Sequence, residues 1–214
     1  MIHRYGVLGS GQVGQTLAKG LKQHGYQVMI GSRTPAKLAE FGTAAGIATG
    51  TFAEVAKWAE GLVLAVGGDV ASTALEAVGR ASLKGKLVID VTNPIAKEPP
   101  QDGVLRFFTG PNDSLMERLQ KAFPEARFVK AFSCIGSAYM VNPSFPGGKP
   151  TMFYCGNDAA AKQDVARLLE QFGFELSDMG TATAARAIEP LCQLWCLPGL
   201  REGKWNHAFR LVRA

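Results

Sequence analysis

Short apolar runs alternate along the chain with longer segments in which apolar residues recur every three or four positions. The runs are bounded by glycine, proline or polar turns, so they predict buried β-strands. They cover residues 5–8, 27–31, 62–66, 87–91, 127–131, 151–155 and 175–178. After the first run, Val13, Leu17 and Leu21 recur at i, i+4 and i+8, which indicates an amphipathic helix that ends near Gly25.

The intervening segments complete an alternation of strands and helices. Thr51 and Glu54 form a capping box that opens a short helix. Further helices are predicted over residues 114–123 and 159–172, and a last helix is expected to begin at Thr181. Since strands joined by crossover helices form parallel sheets, the pattern predicts an α/β fold, a doubly wound parallel sheet with helices on both faces.

We expect a single domain over residues 1–214. Residues 1–146 form its predicted core, and residues 147–214 form a small C-terminal strand–helix extension that closes the substrate pocket. On the last helix, Arg186 and Glu189 are spaced i, i+3 and are expected to form an ordinary surface ion pair. The residues expected to end that helix are Pro198, Gly199 and Gly203.

The composition indicates a globular protein and excludes several functional classes. Of the 214 residues, 47 % are hydrophobic and 19 % charged, and we expect no membrane span and no targeting peptide. The net charge of +5 is scattered along the chain, which favours anionic small molecules over nucleic acid. The four cysteines show no C-x-x-C spacing and no grouping with the three histidines, so we expect no metal site and a cytoplasmic location.

The turn after the first strand has the spacing G-x-G-x-x-G. Gly9 allows a tight turn, Gly11 lets the backbone approach a pyrophosphate, and Gly14 permits close packing of the helix on the strand. The N–H groups that open the following helix are then free to bind phosphate. Strand, turn and helix together predict a Rossmann-type dinucleotide site.

The end of the second strand indicates which dinucleotide is bound. An enzyme that uses NAD usually places an acidic residue there for the ribose 2′-hydroxyl, whereas this chain places Ser32 and Arg33. The guanidinium matches two phosphate oxygens, and Thr34 can add a donor from the same turn. Lys37 adds a second positive charge one helical turn further on. The sequence therefore predicts NADP(H) rather than NAD(H).

The other strand ends supply further candidate contacts. In doubly wound sheets the ligand lies beyond the carboxyl ends of the strands, at the switch point of the topology. Val66 and Gly67 would then flank the adenosine half, and Asn93 and Pro94 the nicotinamide ribose. The nicotinamide ring itself would lie against residues 131–135, beginning at Ala131.

Several motifs together give the chain a resemblance to a known family, the NADPH-dependent coenzyme F420 reductases and related dinucleotide-binding reductases. The resemblance spans nearly the whole chain. The motifs that carry it are Gly9-Ser-Gly-Gln-Val-Gly14, Gly31-Ser32-Arg33, Asp90-Val-Thr-Asn-Pro94, Lys130-Ala-Phe132, Thr151-Met-Phe-Tyr-Cys-Gly-Asn157, and Arg186-Ala-Ile-Glu189-Pro-Leu with Leu194-Trp195.

The resemblance implies a small enzyme, often a homodimer, that moves a hydride between NADP(H) and a deazaflavin. It also implies that Ser10, Gly11, Gln12 and Val13 contact NADP. The other contacts that it implies are Ser32, Arg33, Lys37, Asn93 and Ala131. The loop after Ala131 departs from the deazaflavin reductases, which tend to continue with His-Thr-Ile, whereas this chain has Phe132-Ser-Cys-Ile135. A flavin or a similar flat acceptor therefore stays open beside coenzyme F420.

Hydride transfer needs two stacked rings and a site that excludes water, without an acid or base triad. We accordingly assign no catalytic residue. The side chains expected to wall the pocket of the redox substrate are Phe132, Cys134, Ile135, Met140 and Trp195. Two alternatives stay open: a non-catalytic sensor or regulatory protein that binds NADP(H), and a reductase of a small imine or carbonyl, which would require a proton donor near the ring.

Overall fold

The computed structural model describes residues 2–214 as eight strands and nine α-helices joined by short turns. The strands are β1 (Arg4–Leu8), β2 (Gln27–Gly31), β3 (Ala48–Gly50), β4 (Gly61–Leu64), β5 (Leu87–Asp90), β6 (Arg127–Lys130), β7 (Thr151–Gly156) and β8 (Glu175–Asp178). The helices are α1 (Gln12–Gln23), α2 (Ala39–Ala45), α3 (Phe52–Trp58), α4 (Ala71–Val78), α5 (Arg80–Leu83), α6 (Leu115–Ala122), α7 (Ala159–Gln171), α8 (Ala185–Ile188) and α9 (Leu191–Glu202).

The eight strands form one sheet in the order β3-β2-β1-β4-β5-β6-β7-β8. The first six strands in that order are parallel, β7 runs antiparallel to β6, and β8 is parallel to β7. The chain begins in the middle of the sheet, winds outward through β3, and then crosses back to β4. This reversal confirms the predicted doubly wound Rossmann-type fold and creates a switch point between β1 and β4.

The central strands are mostly apolar, as expected where helices cover both faces of the sheet. Successive side chains point to opposite faces, so Val7 and Ile89 join the core under α1 and α7, whereas Leu8 and Val88 join the core under α3, α4 and α6. All four side chains are completely buried. This two-sided burial fixes the register of each strand, since a slip of one residue would exchange the two faces.

Two strand features were not expected from the sequence. The short strand β3 was not predicted; it has three residues, and all three pair with β2. The sheet is also not parallel throughout, because β7 enters after the long connection from β6 and pairs with it in the antiparallel sense. The end of β7, Cys155 and Gly156, therefore pairs with the end of β6, and the start of β7 extends beyond it.

The last predicted helix is divided in the structure. A 3-10 turn over Ala182–Ala184 leads into α8, and α9 follows after Pro190. The prediction that Pro198 and Gly199 end the last helix is wrong, because α9 continues through both residues and Gly199 packs closely against Trp205. A proline inside a helix removes one backbone hydrogen bond, and α9 tolerates that loss. Gly203 ends the helix with a positive φ of 69°.

The segment after α9 returns to the carboxyl edge of the sheet. Thr151 at the start of β7 donates its backbone N–H to the carbonyl of Phe209 (2.9 Å), and its hydroxyl oxygen accepts from the N–H of Leu211 (2.9 Å). Trp195 and His207 are linked by two hydrogen bonds, from Trp195 Nε1 to the His207 carbonyl and between His207 Nε2 and the Trp195 carbonyl. The tail is therefore tied to both β7 and α9.

Candidate functional site

The glycine-rich turn between β1 and α1 has the packing that its spacing predicts. Gly9 has a φ of +132°, and a Cβ built there would lie 2.1 Å from the carbonyl oxygen of Ala65. A Cβ on Gly14 would lie 2.1 Å from the carbonyl oxygen of Gly9. A Cβ on Gly11, in contrast, would meet nothing within 4 Å. Two of the glycines are thus required by close packing, while the third faces open space.

That open space lies at the N-terminus of α1. The helix has twelve residues, begins at Gln12 and carries no acidic residue in its first turn. Its first backbone N–H groups have no partner inside the helix, and the helix dipole is positive at this end. Gln15 fixes the turn from the helix side, since its Nε2 donates to the carbonyl of Ser10 (2.9 Å). The arrangement is suited to an anion that approaches the exposed face of Gly11.

A cavity of about 270 Å³ extends from this turn to the end of β2. Its lining residues are Gly9, Ser10, Gly11, Ser32, Arg33, Thr34, Lys37, Phe52, Ala65, Val66, Gly67, Val70, Thr73 and Ala74. The set contains two cations and no acidic side chain. The structure therefore brings nine of the predicted NADP contacts into one cavity.

The end of β2 presents donors to that cavity. The buried Ser32 accepts the N–H of Thr34 on its Oγ (3.1 Å), which leaves the hydroxyl hydrogen free to donate. Arg33 and Lys37 are exposed, and neither forms an ion pair with another residue of the described chain, 2–214. Both cations are therefore available to a ligand.

A second cavity of about 480 Å³ continues the first along the carboxyl ends of β4 and β5. Gly11, Ala65, Val66 and Gly67 line both cavities, so the two form one groove across the switch point. The remaining residues of the second cavity are Gln12, Val13, Gly68, Asp69, Val91, Thr92, Asn93 and Ile95. Gln12, Val13 and Asn93 thus lie where the sequence predicts the other half of the dinucleotide.

Asn93 is held tightly at the floor of the second cavity. Its Nδ2 donates to the carbonyl of Ser133 (2.9 Å), and a Cβ on Gly68 would lie 2.0 Å from the Asn93 carbonyl oxygen. The Asn93 Oδ1 atom is buried, yet it has no hydrogen-bond partner within residues 2–214, and neither has Ser133 Oγ. Buried polar atoms of this kind are normally paired, so these two are candidates for ligand contacts.

Three other predicted cofactor contacts do not line the groove. Gly14 of the glycine-rich turn is buried, and so are Pro94 and Ala131, which were predicted at the nicotinamide end. The ring of Phe132 points into the core, where it packs against Phe172 and Phe174 at centroid distances of 6.1 and 6.0 Å. The placement does not support a role for this ring in the wall of the acceptor pocket. The backbone of Phe132 has a positive φ of 61°, which is uncommon for a bulky residue.

The other predicted wall residues, Cys134, Ile135, Met140 and Trp195, are all buried and line neither cavity. Trp195 closes over the loop after β6, because a Cβ on Gly136 would lie 2.7 Å from its ring. Burial raises the pKa of the Cys134 thiol to about 12, so it stays protonated at neutral pH. The acceptor pocket therefore stays a prediction.

The structure also brings together three charged residues that were not predicted to meet. Lys130 at the end of β6 lies 2.8 Å from Asp90 Oδ2 and 3.0 Å from Glu189 Oε1. We call these three residues the buried lysine cluster. Lys130 and Asp90 are 0 % exposed and Glu189 is 1 % exposed. Burial alone would lower the pKa of Lys130, but the two carboxylates outweigh it and raise the pKa above its ordinary value.

The prediction of a surface ion pair between Arg186 and Glu189 is wrong. Arg186 instead makes a bidentate contact with Glu117 of α6 (2.7 and 2.8 Å). Glu189 faces inward and accepts the N–H groups of Leu115 and Met116 (2.9 and 3.0 Å), which caps the start of α6. The spacing i, i+3 could not reveal that the two residues have separate partners, because those partners lie in α6, which is distant in sequence.

Metal ligation and membrane insertion concern two other functional classes. Among residues 2–214, no three His, Cys, Asp or Glu side chains are grouped as metal ligands. In the same stretch, no helix combines the length and the apolar character needed to cross a bilayer.

Comparison with known proteins identifies the family. A family model described as NADP oxidoreductase, coenzyme F420-dependent, matches residues 4–94, which include the glycine-rich turn and Asn93. The whole chain superimposes on the whole of a protein from Arthrobacter sp. FB24 with a TM-score of 0.93 and 35 % identity, and that protein is provisionally described as an F420-dependent NADP reductase. The chain belongs to the F420-dependent NADP oxidoreductase family. The prediction of an NADP-dependent oxidoreductase is thereby confirmed.

This reductase also resembles part of larger proteins. It is 33 % identical over 202 residues to the metalloreductase STEAP3 of Rattus norvegicus, a match that covers 92 % of this chain and 38 % of that protein. The human metalloreductase STEAP2 is 31 % identical over 186 residues, with 35 % of its length covered. The chain thus spans little more than a third of the curated relatives that it matches.

More distant structures share the fold alone. An imine reductase from Myxococcus stipitatus in complex with NADP⁺ aligns with a TM-score of 0.65 at 20 % identity, over 90 % of this reductase and 61 % of that chain. At that identity the likeness supports the architecture and leaves the substrate open.

Proposed function

We propose that this reductase transfers a hydride between NADP(H) and a flat redox ring, either the deazaflavin coenzyme F420 or a flavin. The observation that carries the proposal is the groove across the switch point, in which the glycine-rich turn and the free cations Arg33 and Lys37 line one continuous surface. NADPH, when bound, supplies a hydride from C4 of its nicotinamide ring.

The end of β2 would hold the 2′-phosphate. Arg33 offers a planar fork to two phosphate oxygens, and Ser32 and Thr34 offer hydroxyl donors from the same turn. Lys37 lies in the adjoining 3-10 turn, Pro35–Leu38, and adds a second positive charge. Because no carboxylate lines this cavity, a bare ribose 2′-hydroxyl would lack the acceptor that NAD enzymes provide.

The start of α1 would hold the pyrophosphate. Gly11 presents its backbone without a side chain, and the N–H groups of Gln12 and Val13 follow at the positive end of the helix. Val66 and Gly67 lie opposite this turn and line both cavities. The residues present therefore fit a dinucleotide that crosses from β2 towards β5.

Asn93 would orient the nicotinamide half. Its side-chain oxygen is buried and unpaired within residues 2–214, as expected of an atom that receives a hydrogen bond from a ribose hydroxyl or a carboxamide N–H. The description of the Arthrobacter relative names F420, which supports a deazaflavin as the acceptor. Two flat rings that exchange a hydride require close stacking and exclusion of water.

The first experiment measures NADPH oxidation at 340 nm under anaerobic conditions. Coenzyme F420, FMN, FAD and quinones are offered one at a time, with NADH in place of NADPH as the cofactor control. We expect turnover with at least one flat acceptor and a strong preference for NADPH. Tight NADPH binding without turnover of any acceptor would refute the proposed hydride transfer and favour a non-catalytic NADP(H)-binding sensor.

We also propose that the reductase is a cytoplasmic homodimer that acts on a small-molecule substrate. All four cysteines are free thiols, which fits a reducing compartment. Leu194, Leu200 and Trp205 on or next to α9 are exposed by 56 %, 40 % and 43 %, which supports a further contact surface there. Light scattering after gel filtration gives the mass in solution, and a monomer at micromolar concentration would contradict the dimer.

A further inference from the structure

The buried lysine cluster lies directly behind the nicotinamide end of the groove. Besides its two carboxylate partners, Lys130 Nζ donates a hydrogen bond to the carbonyl of Thr92 (2.7 Å). The contact with Asp90 Oδ2 is an ion pair of 2.8 Å. Oxygens of Asp90, Glu189 and Thr92 thus surround an amine that is 0 % exposed.

The cluster fixes the main chain on one side of Asn93. Thr92 donates both its N–H (2.9 Å) and its hydroxyl (2.6 Å) to Asp90 Oδ1, while its carbonyl accepts from Lys130. Thr92 is 2 % exposed and lines the second cavity with Asn93. All three polar groups of the residue that precedes Asn93 are therefore held by the cluster.

The same cluster fixes the other partner of Asn93. Lys130 is followed within three residues by Ser133, whose carbonyl accepts the Asn93 side-chain amide (2.9 Å). Since Lys130 anchors the end of β6, it also anchors the start of this loop. Asn93 is consequently held through the residue before it and through its amide, while its side-chain oxygen Oδ1 is left without a partner in the described chain.

We propose that Lys130 is a positioning residue for the nicotinamide half of the cofactor. Through Thr92 and the loop after β6, it sets Asn93 so that Oδ1 accepts a hydrogen bond from the nicotinamide riboside. The inference rests on the proposed function, because it requires that NADP(H) lies in the groove. It predicts that the cluster acts on the nicotinamide end and leaves the adenosine end untouched.

The test variant must not leave two unpaired carboxylates side by side in the core, because breaking a buried charge pair by removing one partner strongly destabilises a protein. We therefore combine Lys130→Met with Glu189→Gln, which leaves Asp90 as the one charge of the cluster, with its two hydrogen bonds from Thr92 retained. Glu117→Gln is the matched control. It breaks the neighbouring ion pair with Arg186 at the junction of α6 and α8, yet it does not touch Lys130.

Calorimetry compares the affinity for NADPH with that for 2′,5′-ADP, which carries the adenosine end alone. We expect the double variant to weaken NADPH binding about tenfold, as for a lost buried hydrogen bond, and to change 2′,5′-ADP binding less than twofold. Glu117→Gln should change neither. An equal loss for both ligands, or no loss for NADPH, would overturn the positioning role.

A milder variant keeps the proposal testable if the double variant fails to fold. Thr92→Val removes only the hydroxyl bond to Asp90, and we expect a smaller loss, about threefold, for NADPH alone. An unchanged ratio of the two affinities in Thr92→Val would count against the inference. If the unmodified protein binds neither ligand, the proposed function itself fails, which is a distinct result.

Discussion

Replacement of Arg33 by alanine tests the assignment of the cofactor most directly. Arg33 lies at the end of β2, is exposed, and makes no ion pair within residues 2–214, so the substitution removes nothing that holds the fold together. We expect an unchanged melting temperature. The variant should lose only the contact of the guanidinium with the 2′-phosphate.

The size of the loss follows from the exposure of the site. A hydrogen bond to a charged group contributes about 1.5–3 kcal/mol, and solvent around Arg33 places this contact in the lower half of that range. A loss of about 1.5–2 kcal/mol corresponds to a rise in the Kd for NADPH of roughly 10- to 30-fold. Lys37→Ala should have a smaller effect, because an ammonium makes no bidentate contact.

Isothermal titration with NADPH and with NADH separates this role from a general effect of charge. The Kd for NADH should change less than twofold in Arg33→Ala, because NADH has no 2′-phosphate. Lys57→Ala on α3 removes an exposed cation that does not line the groove and serves as the control for net charge. An equal loss for both cofactors, or a similar loss in Lys57→Ala, would refute the assignment.

Three further predictions concern the turn, the thiols and a helix cap. Gly9→Ala should prevent folding or strongly lower the melting temperature, because its Cβ would lie 2.1 Å from a carbonyl oxygen. Gly11→Ala should keep the melting temperature of the unmodified protein, since its Cβ meets nothing within 4 Å, but it should lose affinity for NADPH and NADH alike. Alkylation at pH 7.5 followed by mass spectrometry should modify Cys196, whose pKa is lowered by the hydrogen bond with a neighbouring thiol, well before Cys134, whose pKa is raised to about 12 by burial; early modification of Cys134 would contradict its buried position. Thr51→Ala removes the capping box of α3 and should lower the free energy of unfolding by about 1 kcal/mol, as measured by urea denaturation; an unchanged midpoint would show that the cap contributes nothing.

The features that could be predicted from the sequence are the local ones. The capping box of Thr51 and Glu54 is present with both of its hydrogen bonds. The glycine spacing predicted which positions pack closely, and the lining of the first cavity by Ser32 and Arg33 agrees with their place after β2. In each case the residues that interact lie within a few positions of one another or at the ends of adjacent strands.

The features that could not be predicted depend on contacts between distant segments. In sequence, Glu189 is 59 residues away from Lys130, and it is 74 residues away from Leu115, whose N–H it accepts. The periodicity of apolar residues gives no information about contacts at such a separation. Likewise, Phe132 follows a strand that ends at the groove, yet its ring packs in the core against Phe172 and Phe174, which are about forty residues away in sequence.

The two ends of the groove are therefore built on different physical grounds. The end proposed for the adenosine half presents the exposed cations Arg33 and Lys37, where a single substitution can alter the preference for a phosphate without disturbing the core. The end proposed for the nicotinamide half contains Asn93, which is held by Thr92, Ser133 and the charges buried behind them. Because the removal of one buried charge leaves its partners unpaired, substitutions at this end should also destabilise the fold. Cofactor preference should therefore be easier to alter in this reductase than the orientation of the reacting ring.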